Sequence, residues 1–197
     1  MGVVSWTPVC TVIGVLNLLC FAVQCLLARD GLAAYAFPAD HPLWYQYVTS
    51  MFLHASWWHL TANAFILFAF GSALEKKAGS LVFLVIYLSA GISGNLLFQL
   101  VYSGNGVGLG ASGAIFGIIT SMVIADPMAM VVMPGAPLPL PIFIFAPLHL
   151  LNEVLLFMNS TQAPAGGDKI AHMAHIGGGI AGALVGRLVI GRGGRGD

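Results

Sequence analysis

Gly110-Ala111-Ser112-Gly113-Ala114-Ile115-Phe116-Gly117 opens an apolar run that fades only before Asp126-Pro127. A hydroxyl inside such a run is costly unless it finds a partner, because hydrocarbon offers none, so Ser112 is a functional candidate by default. The same reasoning applies to His175 in Ala174-His175-Ile176-Gly177-Gly178. Gly113 and Gly117 have small-x3-small spacing on the first run, and Gly178 and Gly182 repeat it on the second. That spacing lets two helix backbones approach closely. Packing of the two faces predicts Ser112 and His175 within hydrogen-bond reach, as a nucleophile and its base.

The rest of the chain is built for hydrocarbon. Of 197 residues, 58% are hydrophobic and 7% charged, against about 25% charged in an ordinary soluble domain. Mean hydropathy is +0.92. This composition marks an integral membrane protein. The formal net charge is zero and the seven Lys and Arg residues form no basic stripe, which excludes a nucleic-acid partner. Cys10, Cys20 and Cys25 all fall in the first apolar run, where they read as small core or lipid-facing residues rather than as a disulfide framework.

A hydrocarbon core about 30 Å thick needs about 20 apolar residues per helix. Runs of that kind lie near 9–28, 55–74, 81–102, 112–125, 140–158 and 170–190, which predicts an all-α membrane protein of six transmembrane helices. One bundle over residues 1–197 is expected, as a single catalytic domain with no separate soluble domain. The first run has neither a basic start nor an Ala-x-Ala exit, so it reads as a retained helix rather than a signal peptide. With both ends in the cytoplasm, Lys76, Lys77, Arg187, Arg192 and Arg195 lie inside and only Arg29 and Lys169 outside, as the positive-inside rule favours. The polar starts of the second, fourth and sixth helices then share the outer face. Trp44, Tyr45, Tyr47, Trp57 and Trp58 suit an interfacial aromatic belt there. The segment 29–53 has no span-length run and reads as a loop in or on the outer leaflet.

Other polar residues carry two readings each. His59 and Asn63, four apart, share one helix face, with His54 near the start and rotated away. They either aim two donors at one ligand atom or tie helices together. His172, three before His175, could form a metal pair with His54 or His59, although the His-Glu-x2-His signature is absent. His149 and Glu153, four apart, are expected to pair with each other, with a gating role as the second reading. Glu75 is expected to cap or pair at the cytoplasmic end, and Asn95 and Gln99 to join helices. No acidic residue is obviously placed to orient His175, so Ser112 and His175 read as a dyad.

Taken together, the Gly110 to Gly117 stretch, His54-x4-His59-x3-Asn63 and Ala174-His175-x2-Gly178-x3-Gly182 resemble the rhomboid family of intramembrane serine proteases. The resemblance extends from about Pro42 to Gly182 and includes Phe70-Gly71-x3-Glu75 and Gly79. It implies a six-helix rhomboid-like bundle whose water-accessible cavity opens to the outside. It implies Ser112 as nucleophile and His175 as general base. His59, Asn63 and the backbone N–H of Ser112, with Gly110 beside them, would make the oxyanion and binding site. His54, Phe116, Gly113, Gly117, Gly178 and Gly182 would support it, Phe116 by packing against the histidine. The implied partners are transmembrane protein substrates and membrane lipids, with no cofactor and no metal.

The chain departs from many bacterial members at Trp44-Tyr45-Gln46, where those have Trp-Arg. A bare catalytic core in a prokaryotic cytoplasmic membrane is expected. A rhomboid-like binding protein would have lost the Ser112 and His175 pair. A transporter would show repeated halves with ionisable groups near the midplane, and no internal repeat is visible here. Pro139, Pro141 and Pro147, at or near the start of the fifth helix, make that helix the expected mobile element for lateral substrate access.

Overall fold

Proline is tolerated in the first turn of a helix, where its missing N–H has no partner to lose, and Pro8 opens helix α1 (Pro8–Leu26). The computed structural model that shows this describes residues 7–27, 29–102, 106–132, 138–160 and 171–191. Glu75 supplies the cap that α1 lacks locally: its carboxylate accepts from the N–H of Val9 (3.0 Å) and of Cys10 (2.8 Å). The sequence expectation of a capping role for Glu75 holds, and the capped helix is a different one from its own.

After α1 the chain makes a 3-10 stretch (Arg29–Tyr35), strand β1 (Phe37–Pro38), helix α2 (Gln46–Thr49) and a 3-10 turn (Ser50–Phe52). Ser56 then caps helix α3 (Trp57–Ile66), accepting from the N–H of His59 at 3.1 Å. A π-helical stretch (Leu67–Gly71) leads without a break into α4 (Ser72–Ala78). Gly79, at φ +86°, turns the chain into α5 (Ser80–Val101). Strand β2 (Val107–Gly108) precedes α6 (Ser112–Ala125). Strands β3 (Met130–Val131) and β4 (Leu140–Pro141) lead to α7 (Ile142–Ser160), and α8 (His172–Val189) closes the described part.

Three of these helices, Pro8–Leu26, Ser80–Val101 and Ile142–Asn159, are long and apolar enough to cross a membrane. α6 is apolar but has 14 residues, about 21 Å of helix. The run beginning at α3 continues through its π-helical stretch into α4, which carries Glu75, Lys76 and Lys77, and α8 carries two histidines and five glycines. The expected six spans are therefore six helical segments of unequal length and apolarity. Lys169, Arg192 and Arg195, on which part of the charge argument rests, lie outside the described residues.

α5, α6 and α8 form the centre, and glycine sets their spacing. A Cβ on Gly178 would overlap the carbonyl of Gly113, and one on Gly182 would overlap the backbone of Gly117. Backbones this close leave carbonyls within reach of hydroxyls: Thr120 donates to Gly179 O and Ser121 to Gly182 O, each at 2.8 Å. The outside of the bundle is apolar, with Leu81, Leu100, Leu148, Leu155, Leu184 and Leu188 all exposed. Such a surface belongs in lipid, and the chain is an integral membrane protein.

The segment 29–53 is more ordered than the loop expected for it. β1 pairs antiparallel with β2, Phe37 opposite Gly108, and Gly110 donates its N–H to Ser50 O at 2.9 Å. Asn95 and Gln99 join helices as expected, and the helix they tie to α5 is α2 of this segment. Asn95 Nδ2 donates to Tyr47 O (2.9 Å) and Ser50 Oγ (3.0 Å), and Gln99 accepts from the Tyr47 hydroxyl at 2.5 Å. The strand signal was too short to see in the sequence, two residues on each side.

Candidate active site

Ser112 is the first residue of α6 and follows Gly110, whose φ of +119° suits glycine alone. Gly110 is needed for a second reason: a Cβ there would strike the His59 ring at Cε1 and Nε2. The first N–H groups of a helix have no partner inside it, so the turn at Ser112 presents donors to whatever lies above.

His175 stands in the first turn of α8, nine-tenths buried, with its Nε2 2.8 Å from Ser112 Oγ. The Phe116 ring, one helical turn beyond Ser112, lies 4.6 Å from the His175 ring and 8° from parallel. On its other face Phe116 stacks on His149, at 4.6 Å and 11°. Phe116 thus fixes the plane in which the His175 imidazole lies.

His59 and Asn63 converge on the same turn. Ala55 donates its N–H to His59 Nδ1 at 3.5 Å, which assigns the ring proton to Nε2, the edge that faces Gly110. Asn63 Nδ2 comes 3.6 Å from the position of a Cβ on Gly110. It is buried with no hydrogen-bond partner among the described residues. His54 sits behind, its ring 5.0 Å from that of His59 and edge-on. Gln24 of α1 brackets the His54 backbone, accepting from its N–H at 3.0 Å and donating to its carbonyl at 3.4 Å. A small recess lined by Met51, Gly91, Asn95, Gly110, Ser112 and Ala174 adjoins the hydroxyl.

Glu153 corrects the reading of a serine–histidine pair with no acid beside it. Its Oε2 lies 2.8 Å from His175 Nδ1 and 2.7 Å from His172 Nδ1. The expected pairing of Glu153 with His149 gives way to these two bonds, and His149 packs its ring between Phe116 and Phe145. Among the described residues, Glu153, His172 and His175 also form a cluster of metal-ligand types, with their ligand atoms within 4.8 Å of one another. His54 and His59 are not part of it. A cation there would have to displace both hydrogen bonds to Glu153.

The sequence model of the Rhomboid domain matches residues 41–192. The chain belongs to the rhomboid family. It is 42% identical over 85 residues to the chloroplastic Rhomboid-like protein 11 of Arabidopsis thaliana, covering 43% of this chain and 30% of that one. Identity to the putative rhomboid protease YdcA of Bacillus subtilis is 37% over 93 residues, 47% of each chain. To the rhomboid protease AarA of Providencia stuartii it is 31% over 156 residues, 72% of this chain and 54% of that one. The chain spans about half or less of the length of these curated relatives.

In this rhomboid the fold brings together Ser112, His175, His59, Asn63, Gly110 and Phe116. Gly113, Gly117, Gly178 and Gly182 set the distance between the helices that carry them. Sequence reasoning missed Glu153 and His172 as neighbours of His175, and His149 as the second ring against Phe116. A signal existed for Glu153. It shares an inward stripe with Ile142, Ala146 and His149 on a helix whose other faces expose leucine, and an intramembrane carboxylate must find donors on a facing helix.

Proposed function

We propose that this rhomboid is an intramembrane serine endopeptidase that cuts transmembrane protein substrates near the outer face of the membrane. The observation that carries the reading is the 2.8 Å contact of Ser112 Oγ with His175 Nε2, held in plane by Phe116. Ser112 attacks the scissile carbonyl while His175 takes its proton, and the tetrahedral oxyanion is met by His59 Nε2–H, Asn63 Nδ2–H and the Ser112 N–H. His175 then gives its proton to the leaving amine, and water repeats the sequence on the acyl-enzyme. The unpartnered Asn63 Nδ2 supports this reading, because a buried donor without an acceptor suits an anion that exists only during reaction.

A substrate helix satisfies its own carbonyls, so it must unwind before Ser112 can reach one. The small recess beside Ser112 suits a small side chain at the cut. In the same proposal all six helical segments cross the membrane, both termini lie in the cytoplasm, and the membrane is a prokaryotic cytoplasmic one. A reporter at the C-terminus that works only in the cytoplasm tests the orientation.

The activity is tested with the detergent-solubilised protein and a transmembrane reporter, comparing wild type, Ser112→Ala and His175→Ala, with and without a chelator. Cleavage by wild type alone, indifferent to the chelator, is expected. Cleavage by Ser112→Ala, or abolition by the chelator, overturns the serine mechanism.

A further inference from the structure

We propose that Glu153 is a positioning residue that turns the Ser112 and His175 pair into a Ser-His-Glu relay, with His172 as a second clasp on the carboxylate. This rests on the serine-protease reading above. Glu153 is 6% exposed, on a helix whose neighbouring Leu151, Val154, Leu155 and Leu156 face outward. A carboxylate at such a place is retained only when donors meet it. The donors here are the two Nδ1 atoms, both on the one oxygen Oε2.

That geometry sets the proton positions. An ionised carboxylate only accepts, so both imidazoles must carry their proton on Nδ1. Each neutral ring then has a bare Nε2, and that of His175 faces the Ser112 hydroxyl at 2.8 Å. The bonds run in one direction, from Ser112 O–H to Nε2 and from Nδ1–H to Glu153. The opposite tautomer would set the Nδ1 lone pair against the carboxylate and leave His175 unable to take a proton from Ser112.

During attack, the bond from the Ser112 oxygen to the carbonyl carbon forms as the serine proton moves to Nε2. His175 becomes an imidazolium with Nδ1–H still on Glu153, and the anion beside it stabilises that charge without taking the proton. Phe116 fixes the ring plane and Glu153 fixes the rotation within it. His172, 5% exposed, shares the carboxylate, so the acid stays aligned when His175 shifts toward the leaving amine.

The test uses the full chain in detergent with a transmembrane reporter, measuring kcat and KM separately. Glu153→Gln is expected to lower kcat by about 10² to 10⁴ with KM within about threefold, because the charge acts on the transition state and not on substrate binding. Glu153→Asp, which keeps the charge, should recover at least about tenfold of that loss. Thermal unfolding identifies any variant that merely fails to fold. An independent signature is expected in wild type: beside the signal of His172, a far-downfield Nδ1–H proton resonance of His175 that disappears in His175→Ala. Wild type lacking that resonance, or folded Glu153→Gln within about threefold of wild-type kcat, overturns the inference. So does activity that a chelator removes and zinc restores. Ser112→Ala separates the two failures: if it is dead while Glu153→Gln is active, only the relay falls, and if it cleaves, the serine reading falls with it.

Discussion

The rings of Phe116 and His175 lie 8° from parallel at 4.6 Å, so one residue of α6 sets the plane of an imidazole on α8 while Ser112, one turn earlier, holds its Nε2. Stacked pairs of this kind contribute about 0.5–1.5 kcal/mol beyond their buried area. Phe116→Leu keeps the apolar contact and loses the stack. Its kcat should fall by about 2- to 12-fold, measured on the transmembrane reporter, with protein yield and thermal unfolding close to wild type.

Asn63 separates stability from activity. Its Nδ2 is buried and without a partner among the described residues, so removing the amide costs the resting protein no hydrogen bond at that atom. Asn63→Leu, similar in size, should unfold at the same temperature or higher. Its kcat should fall by about 10² to 10³, the usual consequence of losing one oxyanion donor. Unchanged kcat would remove Asn63 from the oxyanion site.

Gly178 tests the helix spacing. An added methyl there overlaps the carbonyl of Gly113, and neither backbone can yield without moving α8 from α6. Overpacking of this kind costs about 1–3 kcal/mol. Gly178→Ala should lower both thermal stability and kcat, because the displaced helix carries His175 away from Ser112. Gly79→Ala has open space around its Cβ and strains only the turn at φ +86°, so it should lower stability and spare kcat.

Glu75 works at a distance from the chemistry. It caps α1 through Val9 and Cys10 and accepts from Ser80 Oγ at 2.6 Å. Glu75→Ala leaves those donors unmet and should destabilise the bundle by about 0.5–2 kcal/mol, read as a lower unfolding temperature. Below the unfolding transition, kcat should stay at the wild-type value.

Much of this site was legible because hydrocarbon makes polar residues conspicuous. Ser112, His175, His59 and Asn63 stand out in apolar runs, and glycine spacing on α6 and α8 brings the first two together. Glu153 was visible too, but pairing by position along one helix put it with His149, four residues away. The structure pairs it across helices, because both residues share an inward face against α8, where two Nδ1–H groups outbid a single ring. The strands β1 and β2 were beyond sequence reasoning. Two-residue pairings have no periodicity to read, and the pairing of Phe37 with Gly108 depends on where α5 and α6 place the chain between them.

We propose that a substrate helix enters beside the stacked pair of Phe70, in the π-helical stretch after α3, and Phe145 of α7. Their rings lie 6.1 Å apart and 10° from parallel. α7 is held loosely, with 17% of its span buried against 39% for α5, and Pro147 deletes one of its backbone hydrogen bonds. Movement of α7 away from Phe70 would open a lateral path to Ser112. Cysteines at 70 and 145, in a background where Cys20 and the exposed Cys25 are replaced, can be joined by a cleavable bifunctional thiol reagent. Joining them should stop cleavage of a transmembrane substrate, and cutting the linker should restore it. Labelling of Ser112 by a small soluble phosphonate should continue throughout, since that reagent reaches the hydroxyl through water rather than between helices. If the joined protein cleaves the transmembrane substrate at the wild-type rate, substrates do not enter between these two helices.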